Sequence, residues 1–296
     1  MALYLLATHA HAQQNNSRPA PLPPTHANVA YGDHPLQVID VWEAEGDGPR
    51  PTLIYIHGGG WAGGDKKRNP SNVKPYLDKG IAYVSINYRL SGEHPLPAPV
   101  QDAARAIQFI RHHAPDWNLD PEKMAFTGGS AGACTSMWLL AHDDLANPES
   151  EDPIARQSTK PLAAAVGGGQ TSIDPKVIEP WIGENVTKHR MIYMAVGETS
   201  IEDALANYET HRHLYVEYSP FNHMGAGDPP LWMQYGGDLT LPSKNEGHGI
   251  HHGVYGLKMK ERAEAAGVEV HLVIPGHSTS EKYPTMESFL MDKLLQ

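Results

Sequence analysis

The sequence predicts an α/β fold, with one mostly parallel central sheet covered by helices on both faces. Three observations predict it. Short, mostly apolar runs at residues 52–56, 81–86 and 162–166 are of the type buried on both sides of a sheet. Segments with apolar residues at helical spacing lie between them, as at 100–113. Strand and helix signals alternate along the chain, as βαβ crossovers require. At 296 residues, 40% of them hydrophobic, the chain is long for one domain but ordinary for a large α/β unit with one core.

Composition removes several function classes. The net charge is −11 and no lysine or arginine cluster occurs, which argues against nucleic acid or an anionic membrane as partner. No apolar run is long enough to span a bilayer. Cys134 is the single cysteine, so no internal disulfide can form, and it reads as a small buried hydrophobe.

Taken in order, residues 2–7 form a short apolar run. Ala10-His11-Ala12 fits an A-x-A cleavage site before Gln13. Without a basic n-region, this is similar to the end of a secretory signal peptide, and a secreted or periplasmic location is the expectation, with a frayed apolar tail on a cytoplasmic protein as the alternative. Residues 13–26 are polar and proline-rich, so residues 1–30 read as a flexible leader and 31–296 as the folded domain. Residues 36–42 alternate as a half-exposed strand, and 52–56 is a central strand ending at His57-Gly58-Gly59-Gly60-Trp61. A helix at 71–79, a strand at 81–86 and a helix at 100–113 follow. Met124 to Thr127 is a strand, and 131–141 is rich in helix formers. Residues 143–160 are a charged surface excursion, and 162–166 is a strand ended by three glycines. Residues 171–224 are irregular, with a helical piece at 201–218, and read as an insertion over the sheet. A strand at 231–235, a helix at 254–266, a strand at 268–274 and a helix at 283–295 complete the chain.

Chemistry gathers where these strands end. Gly128-Gly129-Ser130-Ala131-Gly132 joins a strand to a helix, and its pattern is G-x-S-x-G. A serine on so sharp a turn has a strained backbone and an exposed Oγ at a helix N-terminus, where glycine neighbours avoid a collision. Ser130 is therefore the candidate nucleophile. The glycine loop at 57–61 can aim backbone N–H groups inward, so Gly59, Gly60 and Ala131 are the candidate oxyanion donors. His57 reads as a brace for that loop rather than as the base. Trp61 follows the loop directly and is expected near the acyl or alcohol pocket. Asp238 follows the strand 231–235 behind two glycines, and His277 follows the last strand. The order Ser130, Asp238, His277, each just past a strand, is that of a nucleophile, an acid and a base.

Competing residues have plainer readings. The cluster His248-Gly249-Ile250-His251-His252 precedes a helix and lacks acidic partners at ligand spacing, so neither a metal nor any other cofactor is expected. Asp102 reads as a structural helix cap. Asp228 lies before its strand, on the wrong edge of the sheet.

The stretches HGGGW, Asn87-Tyr88-Arg89-Leu90, Asp120-Pro121-Glu122-Lys123 and GGSAG resemble the esterase branch of the α/β-hydrolase superfamily. This branch includes hormone-sensitive-lipase-like carboxylesterases. The nearest likeness is to bacterial carbohydrate esterases that remove acetyl or feruloyl groups from plant polysaccharides. It runs from about Leu36 to His277 and is strongest over 52–133. The resemblance implies an α/β-hydrolase fold with Ser130, Asp238 and His277 as triad and Gly59, Gly60 and Ala131 as oxyanion hole. The N-terminal cap helices of hormone-sensitive-lipase-like enzymes are missing from the pattern, and the 171–224 insertion is expected to supply a lid instead. The match around Asp238 is looser than that of the front half.

The expected function is hydrolysis of short-chain carboxylic esters through an acyl-enzyme, on a small-molecule or polysaccharide substrate. An arylformamidase, whose family has a related H-G-G-x-W loop, is the alternative. A non-catalytic binding protein on the same scaffold is a third reading, disfavoured because none of the three triad positions is substituted.

Overall fold

The computed structural model of the protein describes residues 22–68 and 70–296. The A-x-A segment and the apolar run before it lie outside the described residues.

The described residues begin with β1 (His26–Ala30), β2 (Val38–Trp42) and β3 (Arg50–Ile56), then α1 (Pro70–Leu77) and β4 (Ala82–Ile86). Next come α2 (Ala98–His112), β5 (Leu119–Gly129), α3 (Ala131–Ala141) and β6 (Ala163–Gly167). Five helices separate β6 from β7 (Leu231–Gln234): α4 (Pro175–Ile182), α5 (Arg190–Met194), α6 (Ile201–Ala206), α7 (Tyr208–Glu217) and α8 (Pro220–His223). The chain closes with α9 (Glu246–Ile250), α10 (Val254–Ala265), β8 (Val270–Val273) and α11 (Met286–Leu295).

The eight strands form one sheet in the order β1-β2-β4-β3-β5-β6-β7-β8. β1, β2 and β4 pair antiparallel, and every pair from β4 to β8 is parallel. The period of two along each strand sorts side chains between two cores. Leu53, Tyr83, Ala125, Ala163 and Trp232 meet Val73 of α1 and Phe289, Leu290 and Leu294 of α11. Their neighbours Ile54, Val84, Phe126, Ala164 and Met233 meet α2, α3 and α10 on the other face. Every residue of α3 is buried, which explains why its sequence is apolar all round.

Several boundaries differ from expectation for physical reasons. Residues 26–30, assigned to the leader, form an edge strand on β2, and the Leu22 carbonyl accepts from Trp42 Nε1 at 3.0 Å. The short polar sequence HANVA carries no periodic signal, so pairing alone makes it a strand. The helical piece 201–218 breaks at Asn207 into α6 and α7. The last helix starts at Met286 because Thr285 forms a capping box with Ser288. Tyr283 instead packs in the core, and its carbonyl accepts from Trp232 Nε1. The 171–224 segment contributes Ile178, Ile182, Met191, Ile192 and Tyr215 to the main core, all fully or almost fully buried.

Register brings the site together. Ile56 lies beside Gly128, Gly129 beside Gly167, and Gly167 beside Gln234. The loops that leave β3, β5, β6 and β7 therefore emerge side by side along one edge of the sheet. No helix among the described residues is long and apolar enough to cross a membrane.

Candidate active site

Ser130 has φ 54° and ψ −126°, a backbone conformation that costs on the order of 1–3 kcal/mol for a residue with a side chain. Two glycines make the turn possible. A Cβ on Gly132 would stand 2.1 Å from the Ile56 carbonyl oxygen, and one on Gly128 would stand 2.7 Å from the same atom. The Ser130 N–H donates to the Gly167 carbonyl at 3.0 Å, which ties the elbow to β6. α3 starts at the next residue, so the Ala131 N–H is one of the helix's first, unpaired donors.

The 57–61 loop faces this elbow. Gly59, Gly60 and Trp61 all have positive φ, at 103°, 64° and 58°. Among the described residues no acceptor pairs with the N–H of Gly59 or Gly60. The loop is held from behind. The His57 ring stacks on Tyr88 with centroids 4.1 Å apart, and Tyr88 Oη donates to the His57 carbonyl at 2.7 Å. Burial pushes the His57 imidazole below its usual pKa. His57 thus braces the loop, as expected from its sequence position.

Further along, the buried Lys66 ammonium donates to Asp40 at 2.7 Å and to Asn28 at 2.8 Å. Its backbone N–H donates to the Asn87 side chain. Trp61 is a correction. Its side chain is fully buried and donates from Nε1 to Thr135 Oγ1 at 2.9 Å. After three positive φ angles the indole turns into the core behind α3 instead of walling a pocket.

The imidazole beside Ser130 belongs to His251. Its Nε2 lies 3.0 Å from Ser130 Oγ, and its Nδ1 lies 3.2 Å from the Gly247 carbonyl oxygen. A carbonyl only accepts, so Nδ1 carries the proton and Nε2 presents its lone pair to the serine hydroxyl. Local sequence sets this position. Asn245 caps α9 by accepting from the His248 N–H, and His251 follows the last residue of that helix. The far side of the ring rests near Gly168, which has φ 57°.

His277 does not reach Ser130. It is exposed on the loop after β8, and its Nε2 lies 3.0 Å from the Gly237 carbonyl. The Asp238 carboxylate contacts neither His277 nor His251. It accepts from Lys244 Nζ and from the Thr240 N–H, and the Lys244 ammonium holds its carboxyl far below the usual carboxylate range. His248 lies 3.0 Å from the Asp238 carbonyl, and His252 lies 3.3 Å from the Thr240 carbonyl. The residue that sequence reading missed is therefore His251, inside the histidine cluster set aside as a polar helix approach. Its signal was weak: one of 18 histidines, on a stretch after β7 long enough to fold back over the sheet edge.

Asp102 is also placed differently. It sits in the second turn of α2, whose N-cap is Pro97. Its carboxylate accepts from Arg89 Nε and Nη2 at 2.8 and 2.7 Å, from the Arg89 N–H, and from Gln37. Its role is structural, but as an ion-pair anchor rather than a cap.

A probable carboxylic ester hydrolase, LipM, of Mycobacterium tuberculosis is 26% identical over 236 residues, which is 75% of this chain and 50% of that protein. The carboxylesterase NlhH of the same organism is 36% identical over 96 residues, 31% of this chain and 30% of that protein. The chain spans about half the length, or less, of these curated relatives.

Among solved structures, a truncated carbohydrate esterase from gut microbiota superposes with TM-score 0.72 at 19% identity, covering 95% of this chain and all of that one. An acetyl ester-xyloside bifunctional hydrolase from Caldicellulosiruptor lactoaceticus gives TM-score 0.63 at 21% identity, covering 87% and 82%. At these identities the likeness establishes the α/β-hydrolase fold. Residues 39–244, from β2 past Asp238, match the family described as BD-FAE. With more than half its length matched, the chain belongs to the BD-FAE family.

Proposed function

We propose that the protein is a serine hydrolase of carboxylic esters, acting on short acyl groups such as acetyl esters of carbohydrates. The observation that carries this reading is the 3.0 Å approach of His251 Nε2 to Ser130 Oγ on a strained elbow. In this reading Ser130 Oγ attacks the ester carbonyl carbon and its proton passes to His251 Nε2. Charge builds on the carbonyl oxygen, where the N–H groups of Gly59, Gly60 and Ala131 donate. The intermediate collapses when His251 returns the proton to the departing alkoxide, leaving acyl-Ser130. Water then gives a proton to His251 and attacks the acyl carbon, and the same proton restores Ser130. The Gly247 carbonyl holds the His251 tautomer that both half-reactions need. Asp238 and His277, the acid and base expected from strand order, take no part in these steps.

The named relatives are described as carboxylic ester hydrolases, and the superposed structures as a carbohydrate esterase and an acetyl ester-xyloside hydrolase. These descriptions support the ester class and suggest the carbohydrate alcohol. The test is turnover of p-nitrophenyl acetate and acetylated xylan, with N-formylkynurenine as competitor substrate. Ser130→Ala should lower kcat by several orders of magnitude without unfolding the protein. Retention of more than about a tenth of wild-type turnover would require another nucleophile.

A further inference from the structure

A second imidazole stands at this site without a role in the steps above. His189 caps α5, its Nδ1 accepting from the Met191 N–H at 3.3 Å. A nitrogen that accepts carries no proton, so the neutral ring has its proton on Nε2. Among the described residues nothing hydrogen-bonds to that Nε2.

α5 lies over the oxyanion loop: a Cβ built on Gly60 would stand 3.4 Å from Met191 Cβ. On its other side, the His189 ring meets His251 edge to face, with centroids 6.5 Å apart at 71°. His189 therefore sits beside the imidazole that touches Ser130, at the start of the helix whose Met191 lies against Gly60. The charged or titratable groups around it are His251, Glu246 of α9 and its chain neighbour Arg190. Burial, reinforced by His251, holds its pKa below the ordinary histidine value, with Glu246 opposing. At neutral pH the ring is then an uncharged donor.

We propose that His189 Nε2–H binds the substrate's carbonyl oxygen and strengthens that hydrogen bond as the oxygen becomes an oxyanion. It would be a side-chain donor beside the backbone donors of the glycine loop. No proton changes hands, so His251 keeps sole charge of proton transfer. The inference rests on the assignment of Ser130 as nucleophile. It favours esters of small acyl groups, because Met191 of the same helix crowds Gly60.

Two substitutions separate this role from capping. His189→Asn keeps a side-chain acceptor suited to an N-cap and removes the Nε2 donor. His189→Gln keeps an N–H near the Nε2 position and weakens the cap. On p-nitrophenyl acetate, His189→Asn should lower kcat by about tenfold or more with KM within about threefold, and its urea midpoint should match wild type. His189→Gln should recover part of that kcat even if its midpoint falls. Wild-type kcat in His189→Asn would overturn the proposal, as would a change confined to KM. Activity that merely tracks the midpoint in both variants would overturn it too.

Stoichiometric labelling of Ser130 by a fluorophosphonate, followed by mass spectrometry, reads the nucleophile separately. A wild-type protein that neither turns over ester nor takes the label would sink the esterase assignment, and the His189 role with it.

Discussion

His251 Nε2 stands 3.0 Å from Ser130 Oγ, while His277 Nε2 is turned to the Gly237 carbonyl. The two histidines lie on the loops that follow β7 and β8, and only the first closes over the elbow. Because Gly247 fixes the His251 proton on Nδ1, the ring is already in the form a base requires. His251→Ala should therefore cost about as much kcat as Ser130→Ala, since a nucleophile and its base act as a unit. His277→Ala should lower kcat less than about tenfold. Steady-state kinetics of the two variants on p-nitrophenyl acetate decide the matter. An essential His277 with a dispensable His251 would restore the strand-order assignment.

The oxyanion loop gives a second expectation. Gly60 has φ 64° and lies against Met191, so a β-branched residue there is strained and crowded. Gly60→Val should tilt the loop N–H groups away from the carbonyl oxygen. Loss of one such donor costs about 2.7–4 kcal/mol in the barrier. The loss should fall on kcat more than on KM, because the donor matters most when charge develops. An effect limited to KM would mean that the loop only shapes the binding site.

How much of this was legible in the sequence depended on how local the determinant was. The elbow and the glycine loop could be read directly, because each needs residues without a side chain at fixed offsets from a strand end. Gly128 and Gly132 pack against the Ile56 carbonyl, so the pattern and its cause are the same contact. Strand faces were legible for the same reason: apolar runs declare burial on both sides. The base was not local. His251 reaches Ser130 through the fold of a 19-residue stretch between β7 and α10, and its position depends on Asn245 capping α9. Trp61 was misplaced because side-chain direction after consecutive positive φ angles cannot be inferred from adjacency. The edge strand β1 was missed because its five residues are mostly exposed or half-exposed and have no apolar stripe.

The Arg89–Asp102 pair yields a stability expectation independent of catalysis. Asp102 is almost wholly buried and accepts four hydrogen bonds. Asp102→Ala leaves Arg89 and Gln37 without their acceptor. Breaking a buried pair costs about 3–5 kcal/mol, and the value here should sit near the lower end because the Arg89 side chain keeps 31% of its exposure. Urea unfolding followed by tryptophan fluorescence should show a lower midpoint. Unchanged stability would mean that the carboxylate contributes nothing net where it is buried.

Acyl length is the remaining expectation. Met191 of α5 lies against Gly60, and the Trp61 indole is buried in the core rather than set beside the site. A cavity of 430 Å³ lies alongside Gly128 and Gly129, between α1 and α11. Its walls include Tyr55, Tyr76 and Met286, but Arg68 and Glu287 line it as well. A long alkyl chain entering there would have to cover charged groups, which is unfavourable. In a fully apolar groove each methylene contributes about 0.8 kcal/mol, so kcat/KM would climb about fourfold per carbon. Here p-nitrophenyl acetate should be preferred to the butyrate, and chains beyond about eight carbons should be poor substrates because that per-methylene gain is absent. Measured kcat/KM across even chain lengths from acetate to laurate tests this. A steady rise along the series would show a long apolar acyl groove, and the specificity would then be that of a lipase.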